Sequence, residues 1–481
     1  MYSPPLVKQD NWPELNGAFE GVLRVGSVID ATGAAPIRDA CLRVEDGRIA
    51  ALGRATDFGS LADGACELGS ERVLLPGLVD CHAHATLFPD RQPFEVQLQA
   101  PDEMLALTAV RQLTVHLKSG VTTVRDCAAR GQTMFWVREA IRRGYFPGPR
   151  LQLAGRAITH SAGHIWWSGA VADTREEIRR NVRVLVAEGA DVIKLVASGG
   201  GTRGGIPYLA SYTVDELRVG VQAAHALERR TVAHARATQS IENCVDAGVD
   251  AIAHVEFLSP GPVMDMGGGA PTGLPRLDRR VADKLAASNA FLDLNPQSSG
   301  WDTVLWLRSK EDLSAVEREQ LRSLEEYFDH FLPVIGALRG LGLADRMAFG
   351  SDAGPFDTEF GHLEYNVHLA RRAGLTAMES LQGVTRNAAR LCGMLEELGT
   401  LEVGKHADLL LVDGDPLEDE RNLARVAAVF KSGVRVAWPA GQDERRDPPR
   451  RGRPHRPPDA AGSARPTAAR SRAGRRDASG R

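Results

Sequence analysis

After residue 84, apolar runs typical of β-strands alternate with amphipathic segments typical of helices. Counting the run just before that point, eight strands are predicted: Val73–Cys81, Val121–Asp126, Arg150–Ala154, Asp191–Ala197, Thr231–Ala235, Ala251–Glu256, Ala290–Leu294 and Arg346–Ser351. Eight strand–helix units over about 300 residues predict an α/β fold with a (β/α)8 TIM barrel. A doubly wound open sheet is the main alternative, but no G-x-G-x-x-G motif follows an early strand.

Segments on both sides of the predicted barrel have a different pattern, with short strand-like runs separated by turns. We predict a small discontinuous β-sandwich domain formed by residues 21–75 and 399–440, around a barrel at residues 76–398. Residues 1–20 form a lead-in. Residues 441–481 form a basic tail rich in Arg, Pro and Ala without apolar periodicity, and such a composition predicts disorder.

The sequence also predicts where several barrel helices begin and which two connections between the barrel elements are long. Thr-x-x-Glu capping boxes begin at Thr174, Thr213 and Thr376, and the last of these opens a helix that is predicted to run to Leu391. Residues 259–274 and 295–312 are long connections at the barrel mouth, which makes them candidate lids. Ordinary surface loops are the alternative for both.

The composition restricts the class of protein. The 481 residues are 43% hydrophobic and 25% charged, with a net charge of −4. No apolar run approaches the roughly 20 residues of a membrane span, and the first residues lack a secretory signal, so a cytoplasmic protein without a membrane partner is expected. Six scattered cysteines argue against a disulfide framework. The basic tail is interpreted as a solvated appendage, so no nucleic-acid partner is expected, and a homo-oligomer is left open.

Metal-ligand residue types stand at the carboxyl ends of the predicted strands. They are His82 and His84 on the first strand, Lys194 on the fourth, His234 on the fifth, His254 on the sixth and Asp352 on the eighth. Active sites of (β/α)8 barrels lie at that end, so these side chains are expected to converge. Residues two apart on a strand point the same way, and imidazoles and carboxylates bind metals. The pattern therefore predicts a metal site.

Lys194 is unusual because it lies in the apolar strand Asp191–Ala197, where burying an ammonium group is costly. It needs either a partner or chemistry that removes its charge. Addition of CO2 to the amine gives a carbamate, whose two oxygens can bridge two cations. A buried salt bridge is the alternative.

Several motifs together resemble the amidohydrolase superfamily of metal-dependent hydrolases, over roughly residues 20–440. They are Pro76-Gly-Leu-Val-Asp-Cys-His-Ala-His84, Val192-Ile-Lys194, Val232-Ala-His234, Ile252-Ala-His254, Gly350-Ser-Asp352 and Gly399-Thr-Leu-Glu-Val-Gly-Lys-His-Ala-Asp408. Ser161-Ala-Gly-His164 and Ala197-Ser-Gly-Gly200 resemble the prolidase-like and imidazolonepropionase-like branch more closely. That resemblance implies a hydrolase of carbon–nitrogen bonds acting on small molecules such as dipeptides or N-acyl amino acids.

The resemblance also implies a role for each matching residue. His82, His84 and Asp352 would bind the more buried metal, His234 and His254 the second, and carboxylated Lys194 would bridge them. A hydroxide between two divalent ions would attack the carbonyl, and Asp352 would pass its proton to the leaving amine. Zinc is the default, and manganese, cobalt or iron also fit this ligand set.

Other activities of the superfamily stay open to different degrees. Its single-metal deaminases lack the bridging lysine and carry H-x-x-E at the third histidine. Here His234 is followed by Ala235-Arg-Ala237, and Lys194 is present, which favours two metals and hydrolysis. Cyclic-amide hydrolysis and decarboxylation remain alternatives. A scaffold without activity is disfavoured because all six ligands are intact.

Four further residues are predicted to shape the substrate site. His164 could stabilise a tetrahedral oxyanion, with an ordinary loop histidine as the alternative. Arg236 could hold a substrate carboxylate in bidentate fashion, or instead pair with Glu256. Tyr208 and Tyr212, after the fourth strand, could also reach that carboxylate.

Overall fold

The computed structural model describes residues 18–90, 99–202, 205–260 and 273–436. The predictions for residues 1–17, for the tail from residue 437 onward and for most of the connection 259–274 lie outside the described residues. The strands are β1 Gly21–Val28, β2 Ile37–Glu45, β3 Arg48–Arg54, β4 Cys66–Glu67, β5 Arg72–Pro76, β6 Leu78–Ala83, β7 Val121–Asp126, β8 Arg150–Leu153, β9 Ile158–Thr159, β10 Ala170–Val171, β11 Val192–Val196, β12 Arg230–Ala237, β13 Ala251–Ser259, β14 Leu274–Pro275, β15 Phe291–Leu294, β16 Met347–Phe349, β17 Leu409–Asp413, β18 Val426–Lys431 and β19 Val434–Arg435. The α-helices span Ser60–Asp63, Asp102–Lys118, Thr133–Arg142, Arg175–Glu188, Val214–His225, Thr238–Ala247, Arg279–Ala287, Trp301–Arg308, Ala315–Leu338, Glu364–Arg372, Ala377–Gly383 and Arg386–Leu391.

Eight parallel strands form a closed barrel wall, in the order β6, β7, β8, β11, β12, β13, β15 and β16. β8 meets β11 where the N–H of Asp191 donates to the carbonyl of Leu153 at 2.8 Å. The wall closes between β16 and β6, because the N–H of Asp352 donates to the carbonyl of His82 at 2.7 Å. The predicted (β/α)8 barrel is confirmed.

Burial along the barrel strands explains their composition. Every residue of β6, β7 and β11 is buried, because one face of each strand points into the barrel and the other packs against helices. Thr174, Thr213 and Thr376 each accept a hydrogen bond from the backbone N–H three residues later, as the capping boxes predict. None of the helices within the described ranges is long and apolar enough to cross a membrane.

A second, mostly antiparallel sheet combines the two ends of the described chain. Its strand order is β19-β18-β17-β5-β1-β2-β3, with β4 against β1. The inward residues of strands far apart in this order, such as Leu42 of β2 and Phe430 of β18, share one apolar core. The β2–β3 turn contacts the β18–β19 turn, since a Cβ added at Gly47 would lie 2.6 Å from the carbonyl oxygen of Ser432. The sheet therefore curls over its core, and the predicted discontinuous β domain is confirmed.

The predicted first strand, Val73–Cys81, is wrong as a single element. The chain pairs with the β domain through β5, then leaves that sheet at Gly77 and enters the barrel as β6. The N–H of Gly77 donates to the carbonyl of Asp408, whereas the next residue, Leu78, bonds to Gly120 of the barrel. A side chain at position 77 would collide with Thr122, 2.3 Å from the added Cβ, so the crossing requires glycine.

Two other predicted elements need correction. The helix predicted from Thr376 to Leu391 is interrupted after Gly383, where the carbonyl of Val384 accepts the N–H of Val79 from β6. This tertiary hydrogen bond takes the place of the helical one. The connection 295–312 is not a loop, because it contains the helix Trp301–Arg308, which packs against the helix Ala315–Leu338.

Candidate metal centre

Six predicted ligand side chains converge at the carboxyl end of the barrel. His82 lies at the end of β6 with His84 just beyond it, Lys194 lies on β11, His234 on β12 and His254 on β13. Asp352 follows β16 by three residues. The lysine and the four histidines are buried, and the Asp352 side chain is 13% exposed. All of them border one cavity.

His82, His84 and Asp352 form the tightest group. Oδ1 of Asp352 lies 3.3 Å from Nε2 of His84 and 3.7 Å from Nε2 of His82. One ligand atom from each residue can be chosen so that all three lie within 4.8 Å of one another. This spacing fits three donors arranged around one divalent ion.

Lys194 reaches the same group from the opposite wall. Its Nζ lies 2.9 Å from Nε2 of His82, and the residue is 1% exposed. Within the described ranges no carboxylate forms an ion pair with it, so the buried salt bridge that was the alternative is not observed there. A buried amine beside a histidine nitrogen, with no carboxylate of the described residues at ion-pair distance, is compatible with a lysine that is not held as an ammonium group.

His234 and His254 lie beside this group. Their ring centroids are 4.5 Å apart, and Nδ1 of His254 lies 4.0 Å from Oδ2 of Asp352. Both His254 and Asp352 have a left-handed backbone, with φ of 69° and 49°. Non-glycine residues pay a conformational cost there, and such strain concentrates at functional sites. The strained backbone turns these two donors toward the shared cavity.

The protonation states suit metal binding. Burial lowers the pKa of His82, His234 and His254 well below the usual histidine range, which keeps these imidazoles neutral. For Asp352 burial acts in the opposite direction, but the electrostatic effect of His82 and a hydrogen bond from His84 hold its pKa below its usual range. Neutral imidazoles and an ionised carboxylate are the forms that bind divalent ions.

Asp293, on β15, is a functional residue that the sequence interpretation missed. Its Oδ2 lies 2.8 Å from Nδ1 of His82 and accepts a hydrogen bond of 2.9 Å from Nη2 of Arg125. Nε of Arg125 also donates to the carbonyl of Cys81 at 2.6 Å. The signal was present in the sequence, since Phe291-Leu-Asp-Leu294 places one acid inside an otherwise apolar barrel strand.

Asp80 was also missed, and it ties the first and last barrel strands together. Its carboxylate accepts the backbone N–H of His82 at 3.1 Å and that of Ser351 at 2.9 Å. Nε2 of His116 lies 2.7 Å from its other oxygen. Asp80 thus holds the backbone next to two predicted ligands, His82 and Asp352.

The cavity above the centre contains two of the four predicted substrate residues. His164 and Arg236 line it, together with Glu256. Nδ1 of His164 lies 2.9 Å from Oγ1 of Thr202, and burial lowers the pKa of His164 to about 3, so this imidazole is neutral. Nε of Arg236 donates to Oε2 of Glu256 at 2.5 Å, which is the ion pair considered as the alternative to carboxylate binding.

Tyr208 and Tyr212 are placed differently from what was predicted. Neither borders the cavity. The hydroxyl of Tyr212 donates to the carbonyl of Ala172 at 2.7 Å, and the residue is buried. This hydrogen bond holds the loop after β11 against the segment after β10, so Tyr212 has a structural contact in place of the predicted one with substrate.

Known proteins are similar to this chain over most of its length. Ochratoxinase from Aspergillus niger is 27% identical over 461 residues, which cover 88% of this chain and 89% of that protein. Imidazolonepropionase from Methylobacterium nodulans is 26% identical over 402 residues, which cover 78% and 88%. The crystal structure of a Xaa-Pro dipeptidase with bound methionine in the active site matches with a TM-score of 0.70 at 23% identity, over 87% of this chain and 100% of that one.

The match to a family covers most of the chain as well. Residues 73–436, which contain β6 to β19 and all six predicted ligands, match the Amidohydrolase family. The confirmed barrel and the convergent donors agree with this match. The chain belongs to the amidohydrolase family.

Proposed function

We propose that this protein is a binuclear metal-dependent amidohydrolase that cleaves an amide or peptide-like C–N bond in a dipeptide or an N-acyl amino acid. The observation that carries the proposal is the convergence of four buried histidines, one ionised carboxylate and one buried lysine on a single cavity. His82, His84 and Asp352 would hold one ion and His234 and His254 the other. Lys194, carboxylated by CO2, would bridge them.

The roles of the chain's own residues follow from their positions. Two divalent ions, zinc by default and manganese, cobalt or iron as alternatives, would supply hydroxide at neutral pH and polarise the scissile carbonyl. Asp352 would take up the proton of the attacking group and deliver it to the leaving nitrogen, because an amide nitrogen must be protonated to depart. His164, neutral at the cavity wall, would donate an N–H hydrogen bond to the oxyanion.

The cavity wall bears on the substrate range. Arg236 borders the cavity and supports recognition of a carboxylate, but it already pairs with Glu256, so a substrate carboxylate would share the guanidinium. The different names of the relatives, ochratoxinase and imidazolonepropionase, support a family that accepts more than one substrate. Cyclic-amide hydrolysis and hydrolytic deamination are the alternative activities.

A screen with metal analysis tests the proposal. The protein is loaded with zinc or manganese, its metal content is measured by mass spectrometry, and dipeptide and N-acyl amino acid libraries are assayed for released amino acid. We expect about two ions per chain and hydrolysis of at least one group of these amides.

The matched controls are two histidine variants. His82→Asn is expected to lose metal and activity, whereas His225→Asn, on the outer helix Val214–His225, is expected to keep both. Full activity of metal-stripped protein would contradict the proposal. One ion per chain together with ammonia release from purines or pyrimidines would support a deaminase instead.

A further inference from the structure

Charges on the cavity wall discriminate between the two substrate classes of the proposed function. Apart from the predicted metal ligands, the described residues that line the cavity include three charged ones, Arg236, Glu256 and Asp357. Two of them cancel. Arg236 and Glu256 form a buried ion pair, and Nη2 of Arg236 also lies 3.4 Å from the hydroxyl of Tyr327.

Asp357 is the remaining charged group on this wall. It lies in the loop after β16, five residues beyond Asp352, and is 9% exposed. Its Oδ2 accepts a hydrogen bond from the neutral hydroxyl of Thr303, at the start of the helix Trp301–Arg308. Within the described part of the chain, its other oxygen has no hydrogen-bond or ion-pair partner. A largely buried carboxylate that borders the cavity and has one oxygen without a partner among the described residues favours a cationic ligand.

Asp302 interacts electrostatically with both Asp357 and His362. Burial together with the charge of Asp357 raises the pKa of Asp302 well above its usual range. Nε2 of Gln297 donates to Asp302 at 3.1 Å. His362 is close to this pair, but its Nδ1 lies 3.0 Å from the carboxylate of Glu364, which balances a charge on the imidazole.

We propose that Asp357 binds a cationic amine of the substrate, and that the protein prefers dipeptides with a free α-amino group over N-acyl amino acids. This inference rests on the proposed amide hydrolysis and narrows its substrate class. A substrate ammonium group would supply the second partner of Asp357, with hydrogen bonds between two charged groups. An uncharged acyl group would leave the second carboxylate oxygen of Asp357 without a hydrogen-bond donor.

The experiment compares two substrates that differ only in the amine. Alanyl-X carries an ammonium group where propionyl-X carries a hydrogen, X being the amino acid that gives the highest activity in the screen above. The measured quantity is the ratio of kcat/KM for alanyl-X to that for propionyl-X, in the wild type, Asp357→Asn, Asp357→Glu and Asp345→Asn. Partial unfolding lowers both rates equally, so the ratio reports recognition alone.

We expect the wild-type ratio to exceed one and to fall about 10- to 100-fold in Asp357→Asn, the cost of losing one hydrogen bond between charged groups. Asp357→Glu should recover part of the ratio. Asp345→Asn, an exposed aspartate distant from the cavity lining, should keep it. A wild-type ratio of one or less, or an unchanged ratio in Asp357→Asn, would overturn the inference while leaving amide hydrolysis intact. If neither compound is hydrolysed and the whole screen is negative, the proposed function fails and the inference with it.

Discussion

Nδ1 of His82 lies 2.8 Å from Oδ2 of Asp293. This contact makes Nδ1 the protonated nitrogen, so Nε2 is left to face Asp352 and Lys194. Burial raises the pKa of Asp293, and Arg125, which donates to the same oxygen, opposes this effect and favours the ionised carboxylate. A histidine that binds a metal commonly donates its other ring N–H to a carboxylate, and this hydrogen bond fixes the tautomer and the ring plane.

Replacing Asp293 with asparagine should weaken metal binding about 10- to 100-fold, the usual effect of losing such an outer carboxylate. Competition with a fluorescent chelator measures the affinity. Asp413→Asn is the control, because Asp413 pairs with Arg72 in the β domain and is not part of the barrel. Equal affinities for the wild type and Asp293→Asn would show that the contact does not orient the ligand.

Lys194→Ala should lower amide hydrolysis by about 100-fold or more, because the variant lacks the amine that would bind CO2 and bridge two ions. Acetate or propionate should restore part of the activity by supplying carboxylate oxygens in the vacated space. Steady-state rates with increasing acid measure this rescue. Lys284→Ala, at an exposed site on the helix Arg279–Ala287, should behave like the wild type. A variant that stays active without added acid would remove Lys194 from the proposed centre.

Breaking the Arg236–Glu256 pair should destabilise the fold. Arg236→Met leaves a buried carboxylate unpaired, which costs about 3–5 kcal/mol, and urea unfolding at pH 7 measures the loss. In the double variant Arg236→Met/Glu256→Gln the loss should be smaller than the sum of the single losses. The reference is the pair of Glu242 with Arg280, whose side chain is 67% exposed, and Arg280→Met should cost less than about 1 kcal/mol because Lys284 still pairs with Glu242. Additive losses in the buried pair would mean that the two groups do not stabilise each other.

Gly77→Ala should destabilise the protein by about 1–3 kcal/mol, the range for forcing extra atoms into a packed site. The added Cβ would lie 2.3 Å from Oγ1 of Thr122, on the neighbouring barrel strand. Thermal unfolding measures the effect. Gly64→Ala is the matched control, because nothing lies within 4 Å of a Cβ at that position. A variant as stable as the wild type would mean that β7 shifts to accept the methyl group.

The sequence was sufficient to predict the barrel and the convergence of the six candidate ligands because both depend on local patterns. Apolar runs identified the eight strands, and the fold itself brings together residues at strand ends, such as His84 and Asp352. What could not be predicted depends on contacts between distant segments. The chain passes from one sheet to the other at Gly77, where Thr122 leaves no room for a side chain. The predicted last helix breaks where the carbonyl of Val384 accepts the N–H of Val79.

The cavity wall was harder to predict for the same reason. Arg236 and Glu256 are 20 positions apart, and the sequence allowed Arg236 either to bind a substrate carboxylate or to pair with Glu256. Only the geometry shows that the ion pair forms. Asp357 lies in a loop and Thr303 in a helix 54 positions earlier, and no local pattern connects them. Tyr212 was assigned by its position in a loop, whereas its hydroxyl bonds to the backbone of another segment.

The pairing of β5 with β17 has a consequence for synthesis on the ribosome. Arg72 and Asp413, which are bonded across these two strands, are 341 positions apart in the chain. β5 therefore emerges, with the edge that β17 will later cover still open, long before its partner is made. Exposed strand edges promote aggregation, so this protein needs protection of that edge, by a chaperone or by early barrel folding, until residue 413 has left the exit tunnel.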